Sequence, residues 1–295
     1  MAITGTGTQT DPWIVHNYDE IKDVLQNRVT SNNLYAKLAN DINCNDYGDT
    51  WEWETIAVYA NWNFEFDLDG HTIKNIMIKS GNSLFYGKST VNVIRNGKIL
   101  NVFNNSGASV IDGNGLTLKD ISMSVNGNGL TSYGFYNVFF ENCAVYYKSS
   151  KLQSYIIYSG SAFGGVDGVG AKNCDFYFDV NNMNGKNLIN SLNGINYDNC
   201  RFRGSVSGAS NSYYLLDSGK CINSVVEIDT RNMAWGSMAS SFMRPCKLTS
   251  TGIINTEISP NLDGGTSGLT ACTTAQMRDA DYLNSIGFTV VKVGE

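Results

Sequence analysis

Six stretches of the chain align without gaps: Ile94-Arg95-Asn96-Gly97-Lys98-Ile99, Leu118-Lys119-Asp120-Ile121-Ser122-Met123, Phe140-Glu141-Asn142-Cys143-Ala144-Val145, Ala171-Lys172-Asn173-Cys174-Asp175-Phe176, Tyr197-Asp198-Asn199-Cys200-Arg201-Phe202 and Cys221-Ile222-Asn223-Ser224-Val225-Val226. The third position is always Asn or Asp and the sixth is always apolar. The second is charged in five of the six, and the fourth is small or apolar. Successive third positions lie 24, 22, 31, 26 and 24 residues apart. Short alternating segments broken by Asn and Gly at this period suit one coil of a parallel β-solenoid, in which like positions stack into columns about 4.8 Å apart. The repeated Asn or Asp is expected at a bend, because it tolerates left-handed backbone and its side chain can bond to the next coil. Asn96, Asp120, Asn142, Asn173, Asn199 and Asn223 are therefore read as a structural ladder. Cys143, Cys174 and Cys200 fall in one inward column beside it. They are read as small hydrophobes filling a tight corner, with a disulfide or metal role as the alternative. The 31-residue spacing marks a loop inserted within residues 148–167, a place where solenoids carry contacts.

Composition agrees with this reading. The 295 residues leave room for one large β domain or two ordinary ones. Apolar residues make up 42% and charged ones 16%, while 36 Asn, 30 Gly and 16 Tyr stand against 8 Glu and 3 Pro. That balance favours strands and turns over helices and disfavours disorder. A net charge of −6 without a run of Lys or Arg argues against nucleic-acid binding. No apolar stretch is long enough for a membrane-spanning helix, so membrane insertion is not expected, and Met1 to Thr8 does not read as an export signal. Seven Cys with no Cys-x-x-Cys pair indicate buried thiols rather than a closed disulfide set or a zinc site. No cofactor is implied.

One helix is expected near each end. Asn17 and Glu20 form a capping-box pattern ahead of Ile21, Val24 and Leu25, which places a helix over residues 17–27. Thr273 and Gln276 repeat that pattern ahead of Met277 and Leu283, with Gly287 as the stop. Residues 288–293 are expected as a final strand. Such helices serve to cover apolar surface and unpaired edges at the ends of a β domain.

The amino-terminal quarter resembles a known family. Gly5-Thr6-Gly7-Thr8, Asp11-Pro12-Trp13-Ile14-Val15, Leu34-Tyr35-Ala36-Lys37-Leu38-Ala39-Asn40-Asp41-Ile42, Trp53-Glu54-Thr55-Ile56 and Phe66-Asp67-Leu68-Asp69-Gly70-His71-Thr72-Ile73 follow the order of the GLUG-motif, pectin-lyase-like β-helix proteins of bacterial surfaces and bacteriophage particles. Ser83-Leu84-Phe85-Tyr86-Gly87 resembles that family's Gly-Leu-Phe-Gly step, and Thr273-Thr274-Ala275-Gln276-Met277 resembles the segment that often follows its helix. The match covers residues 5–87 and fades over residues 88–270. The resemblance implies an all-β, right-handed, single-stranded parallel β-helix, with a cap over residues 1–40, the helix over 41–272 and a helix-strand cap over 273–295. Trp53 is then expected packed under the amino-terminal cap.

A fold does not fix an activity. Where pectin-lyase-like proteins are catalytic, carboxylates gather on the outer face with Arg, Lys or His, sometimes with calcium. His71 lies in the family's Gly-His-Thr turn and His16 in the capping strand, and both read as structural. Glu141, Asp175, Asp198 and Asp229 can be paired in several ways at glycosidase spacing, so none is singled out as catalytic. The column Arg95, Lys119, Glu141, Lys172 and Asp198 reads as a solvated face of opposite charges. The contact candidates are aromatic: Tyr146, Tyr147, Tyr155 and Tyr158 around the inserted loop, and Tyr213 and Tyr214 at a later turn, with Trp51 and Trp62 between cap and coils. These observations lead to the expectation of a bacteriophage virion structural protein, a capsid decoration, head fibre or tail-associated component. It would contact other virion proteins and adhere to host surface polysaccharide. A polysaccharide depolymerase and a bacterial cell-surface adhesin are the alternatives. The expected virion location draws on the chain beginning directly at the cap and on free thiols, which suit a reducing compartment.

Overall fold

A computed structural model of the chain describes residues 3–28, 33–58, 63–87, 92–104, 107–130, 134–152, 155–159, 169–184, 188–191, 195–210, 214–217, 220–235, 241–243, 251–258 and 268–288. Trp62, Tyr213 and the expected strand beyond Phe288 lie outside the described residues, as does much of the inserted loop. The chain winds into a right-handed parallel β-helix of about seven turns.

Three faces run along it. The first stacks Asn33–Leu38 and Asn63–Asp67 under residues 93–95, 116–119 and 138–141, then Val169–Lys172, Asn196–Asp198 and Lys220–Ile222. The second carries Thr72–Ile78, residues 97–104 and 121–130, Ala144–Leu152, Asp175–Asn184, Arg201–Ser210, Ser224–Asp229, Gly252–Asn255 and Thr270–Cys272. The third carries Ile56–Val58, Phe85–Gly87, residues 111–113 and 135–136, Ile157–Ser159, Ile189–Ser191, Tyr214–Asp217 and Ser241–Met243.

The corner between the first two faces is set by the repeated amide. Asn96, Asp120, Asn142, Asn173, Asn199 and Asn223 all adopt φ between 46° and 60°, the left-handed region that Asn and Asp enter at least cost. Asn142 Nδ2 donates to Asp120 Oδ1 at 2.9 Å, Asn173 to Asn142 at 3.0 Å, Asn199 to Asn173 at 2.8 Å and Asn223 to Asn199 at 3.4 Å. Asn96 reaches the preceding coil at Asp67 Oδ1, 3.2 Å away. Just inside the corner, Cys143, Cys174 and Cys200 are fully buried free thiols. Each donates to the carbonyl two residues earlier, at 3.1 to 3.3 Å, and Ser224 does the same with its hydroxyl at 2.9 Å. Burial pushes the Cys143 and Cys174 thiols well above their ordinary range, which leaves them protonated and unreactive. The sixth repeat positions, Ile99, Met123, Val145, Phe176, Phe202 and Val226, line the core. Phe176 and Phe202 stack with centroids 5.4 Å apart.

A second amide ladder, not anticipated from the repeat, lies on the second face. Asn75 Nδ2 donates to Asn43 Oδ1 at 2.8 Å and Asn101 to Asn75 at 3.0 Å. Asn75 and Asn101 again have positive φ, 59° and 54°. The ladder ends at Ser124, whose Oγ accepts from Asn101 N at 2.8 Å. There Ile99 pairs with Met123 and Val102 with Val125, so Leu100 and Asn101 together oppose Ser124. The early coils carry this extra residue, and the later ones pair without a shift at this position, from Ser124 through Tyr146 and Tyr177 to Arg203.

Parallel pairing is already present upstream of residue 41. Trp13–Val15 pairs with residues 36–38, because Leu34, Ala36 and Leu38 already alternate inward as a strand of the first face. The end of the stack is closed by chain that folds back, with Thr4 bridging antiparallel to Ile14. The tight Gly-Thr-Gly-Thr start makes this possible. Gly7 has φ 77°, and a Cβ there would sit 2.3 Å from the Trp13 ring. The helix Tyr18–Asn27 is capped by Asn17, whose Oδ1 accepts from Glu20 N. It buries Tyr18, Ile21, Val24 and Leu25. Trp53 is fully buried beneath it, edge-on to Tyr18.

At the other end Thr273 and Gln276 form the expected reciprocal pair, at 2.8 and 3.1 Å. The helix is not the single one expected. A 3₁₀ turn, Gln276–Arg278, stops at Asp279, whose carboxylate takes the N–H groups of Asp281 and Tyr282 and starts a new helix, Ala280–Ser285. Leu283 and Phe288 pack on Val225, Ile253 and Cys272 across the outside of the second face.

Candidate functional site

The strand Ala144–Leu152 alternates in and out, and the alternation separates the adjacent tyrosines. Tyr146 points outward and is 39% exposed, whereas Tyr147 points inward and is fully buried against Phe135. Tyr147 is therefore a core residue, which corrects its expected place among ligand contacts. Its hydroxyl has no partner among the described residues, and burial pushes the phenol above its ordinary range. Tyr155 and Tyr158 are half-buried on the third face. Tyr214 lies in the strand Tyr214–Asp217 of that face, and its side chain, like Tyr213, lies outside the described residues.

Around Tyr146 the second face forms a groove of about 400 Å³. Register builds it: Ser124, Tyr146, Tyr177 and Arg203 occupy successive rungs of one outward column, a row roughly 14 Å long at 4.8 Å per rung. The Tyr146 and Tyr177 rings stack with centroids 5.0 Å apart and planes 15° apart. Arg203 lies 5.7 Å from the centroid of the Tyr177 ring and grips Asp175 with two hydrogen bonds, Nε to Oδ1 at 2.8 Å and Nη2 to Oδ2 at 2.5 Å. Asp175 sits one rung below and one column aside, on the diagonal that long side chains can span. Ser122, Ser124 and Leu100 form the far wall, where coils with the extra residue give way to coils without it. The groove thus offers a stacked pair of rings, one exposed and one half-buried, with hydroxyls and a fork that holds one donor array and one acceptor array in fixed places.

Tyr177, Arg203 and Ser124 were not singled out from the sequence, although a signal existed. Each directly follows a sixth repeat position, Phe176, Phe202 or Met123, and an inward sixth position forces its successor outward.

The carboxylates weighed for hydrolysis are largely committed to cations. Glu141 meets Lys119 at 2.9 Å, Asp175 meets Arg203, and Asp229 meets Arg231, whose side-chain hydrogen bonds hold the Asp229 carboxyl below its usual range. A general acid requires the opposite shift. Asp198 lies on the first face in register with Lys172 and Ile222, away from the groove. Both histidines face a carboxylate: His16 Nδ1 lies 3.0 Å from Glu20 and His71 Nδ1 lies 3.2 Å from Asp41. For His71 the partner is 30 residues away in sequence, one coil below, so local reading could not find it. Among the described residues no three His, Cys, Asp or Glu side chains are placed to hold a metal ion, and no helix is long and apolar enough to cross a membrane.

Fold and groove together define a parallel β-helix with a tyrosine-lined groove on one outer face. No family model and no curated protein matches the chain. Among solved structures it is similar to a "putative immunoglobulin A1 protease" from Bacteroides ovatus, with 13% identity, a TM-score of 0.49 and coverage of 99% of this chain and 95% of that one.

Proposed function

We propose that this protein is a glycan-binding β-helix whose ligand lies along the Ser124–Tyr146–Tyr177–Arg203 row. One observation carries the reading: a large ring left 39% exposed, stacked on a second ring, with a bidentate Arg–Asp pair beside it. A sugar ring has apolar C–H faces and a polar rim. Parallel tyrosines accept the faces, with little side-chain entropy to lose, while the Arg203–Asp175 fork and the serine hydroxyls meet the rim. The row is several rungs long, which favours an oligosaccharide over a single sugar. Contact without cleavage is the better reading, because Asp175 and Glu141 are each held in an ion pair, with Arg203 and Lys119, rather than standing free to face a ligand.

The test is binding of surface polysaccharides and a glycan panel, read by calorimetry, with reducing ends assayed in the same samples. Tyr146→Ala and Tyr177→Ala are expected to weaken binding at least tenfold while leaving the melting temperature of the fold within a few degrees. Wild-type affinity in both variants would sink the reading, and accumulating reducing ends would replace it with depolymerisation. We further place the protein on a bacteriophage particle, as a spacer that presents this face. Support comes from the GLUG-like order of residues 5–87 and from the free cysteines among the described residues, which suit synthesis in a reducing host compartment. Mass spectrometry of purified particles against host envelope fractions decides that placement.

A further inference from the structure

A different column on the third face holds a carboxylate among tyrosines. Tyr86, Asp112, Tyr136 and Tyr158 occupy consecutive rungs, fixed by the pairing of Phe85–Gly87 with residues 111–113, of these with Phe135 and Tyr136, and of those with Ile157 and Tyr158. The rings of Tyr136 and Tyr158 stack with centroids 5.3 Å and planes 9° apart. Their faces therefore look along the helix axis, and Tyr136 turns its other face toward the rung of Asp112. Tyr155 leans on Tyr158 at 5.9 Å. Tyr86 and Tyr136 are two rungs apart, roughly 9.6 Å. The shorter Asp112 on the rung between them leaves a slot in the column. Asp112 is shorter than its neighbours by a whole ring, so its carboxylate forms the floor of that slot.

Asp112 is half-buried, and among the described residues no donor or cation meets its side chain. On the second face the half-buried carboxylates Asp175, Asp179, Glu227 and Asp229 each meet an Arg or a Lys. Burial pushes the Asp112 carboxyl above the usual carboxylate range. The titratable groups in register with it on the packed strands are Tyr86, Tyr136 and Tyr158, none of them a basic residue.

We propose that the slot formed by Tyr86, Asp112 and Tyr136 binds an alkylammonium group, of the kind carried by an amino sugar or a choline headgroup. A hydroxyl ligand would give Asp112 a hydrogen bond but leave its charge uncompensated. A divalent metal ion needs six or more oxygens, and the slot supplies one carboxylate. A cationic nitrogen neutralises the carboxylate, and the faces of tyrosine rings attract it through their quadrupole. This site stands on the third face and does not depend on the glycan reading of the groove.

The test titrates the full chain, at neutral pH and low salt, with choline chloride, with glucosamine, and with glucose as the uncharged control, read by calorimetry and by tyrosine ring shifts in NMR. Saturable binding of one or both cations, absent with glucose, is expected. The cation that binds distinguishes a quaternary headgroup from a primary amine. Asp112→Asn keeps the side-chain shape and is expected to weaken binding at least tenfold with the melting temperature preserved. Tyr136→Leu should weaken it as well, and Tyr146→Ala in the other groove should leave it unchanged. The proposal fails if Asp112→Asn binds the cation as tightly as the wild type, if glucose binds as well as glucosamine, or if neither cation saturates at tens of millimolar.

Discussion

Single side chains show where this fold is satisfied and where it is not. Asn173 combines a left-handed φ of 54° with one donated and one accepted ladder bond. Asn173→Ala should destabilise the protein by about 2–4 kcal/mol, from two hydrogen bonds at roughly 1 kcal/mol each and from a Cβ in a region alanine disfavours. Asn173→Gly loses the same bonds but keeps the backbone at ease, so it should cost less. Equal losses in denaturant titrations would show that the bend makes no demand on the residue. Tyr147 carries the opposite expectation. Its buried hydroxyl has no partner among the described residues, so Tyr147→Phe should raise stability by about 1 kcal/mol or more. A loss of stability would mean that the hydroxyl is satisfied. The separation of Tyr146 from Tyr147 was legible in the sequence. Val145 holds the inward sixth position, and a period of two then fixes both neighbours. Asp112 was not legible, because the third face lies between the repeated segments, where variable spacers erase the register that alignment provides.

Among the elements, the amino-terminal helix was readable from its cap and stripe, but what clamps it to the stack was not. Lys22 from the helix and Lys79 from the second coil converge on Glu54, at 2.9 and 2.6 Å. The three residues are far apart in sequence and meet only because the coils stack. The hydrogen bonds from Lys79 and then Lys22 pull the Glu54 carboxyl down to about 2 from its ordinary 4.5. A depressed acid stabilises the folded form fully above the unfolded value and loses that contribution as pH falls through the folded one. Docking of the helix should therefore weaken between about pH 4.5 and pH 2. Hydrogen exchange of amides 21–27, corrected for intrinsic pH dependence, reads this directly. Asp23, held low chiefly by Arg28, acts in the same direction, so the informative comparison is Glu54→Gln. That variant should show the weakened docking already at neutral pH and a flatter profile below it. A profile identical to the wild type would remove Glu54 from the clamp.

For the whole molecule, stability is close to one-dimensional: each coil rests on its neighbours, and the ends decide whether the stack stays soluble. The two ends are closed differently. At the amino end the fold-back at Thr4 and the helix cover the first rung. At the carboxyl end Leu283 and Phe288 lie over Val225, Ile253 and Cys272, covering apolar positions on the outside of the second face. This second cover lies farther along the same face as the tyrosine groove, and Arg201, Glu227 and Arg278 line its border. The closing segment is legible in the sequence but its break is not, because Thr273 and Gln276 announce one start and Asp279, a few residues later, caps a second. Leu283→Asp places a charge in that contact and should cost about 2–5 kcal/mol of local docking, comparable to removing a buried leucine. Because the coils beneath are held by their own ladders, the expected result is release of the cover with the β signal retained. The bared Val225 and Ile253 should then drive concentration-dependent association in light scattering. A variant that remains monomeric at high concentration would show that the closing segment is not what keeps this face from associating. One that loses its β signal would show that the ends and the coils fold as a single unit.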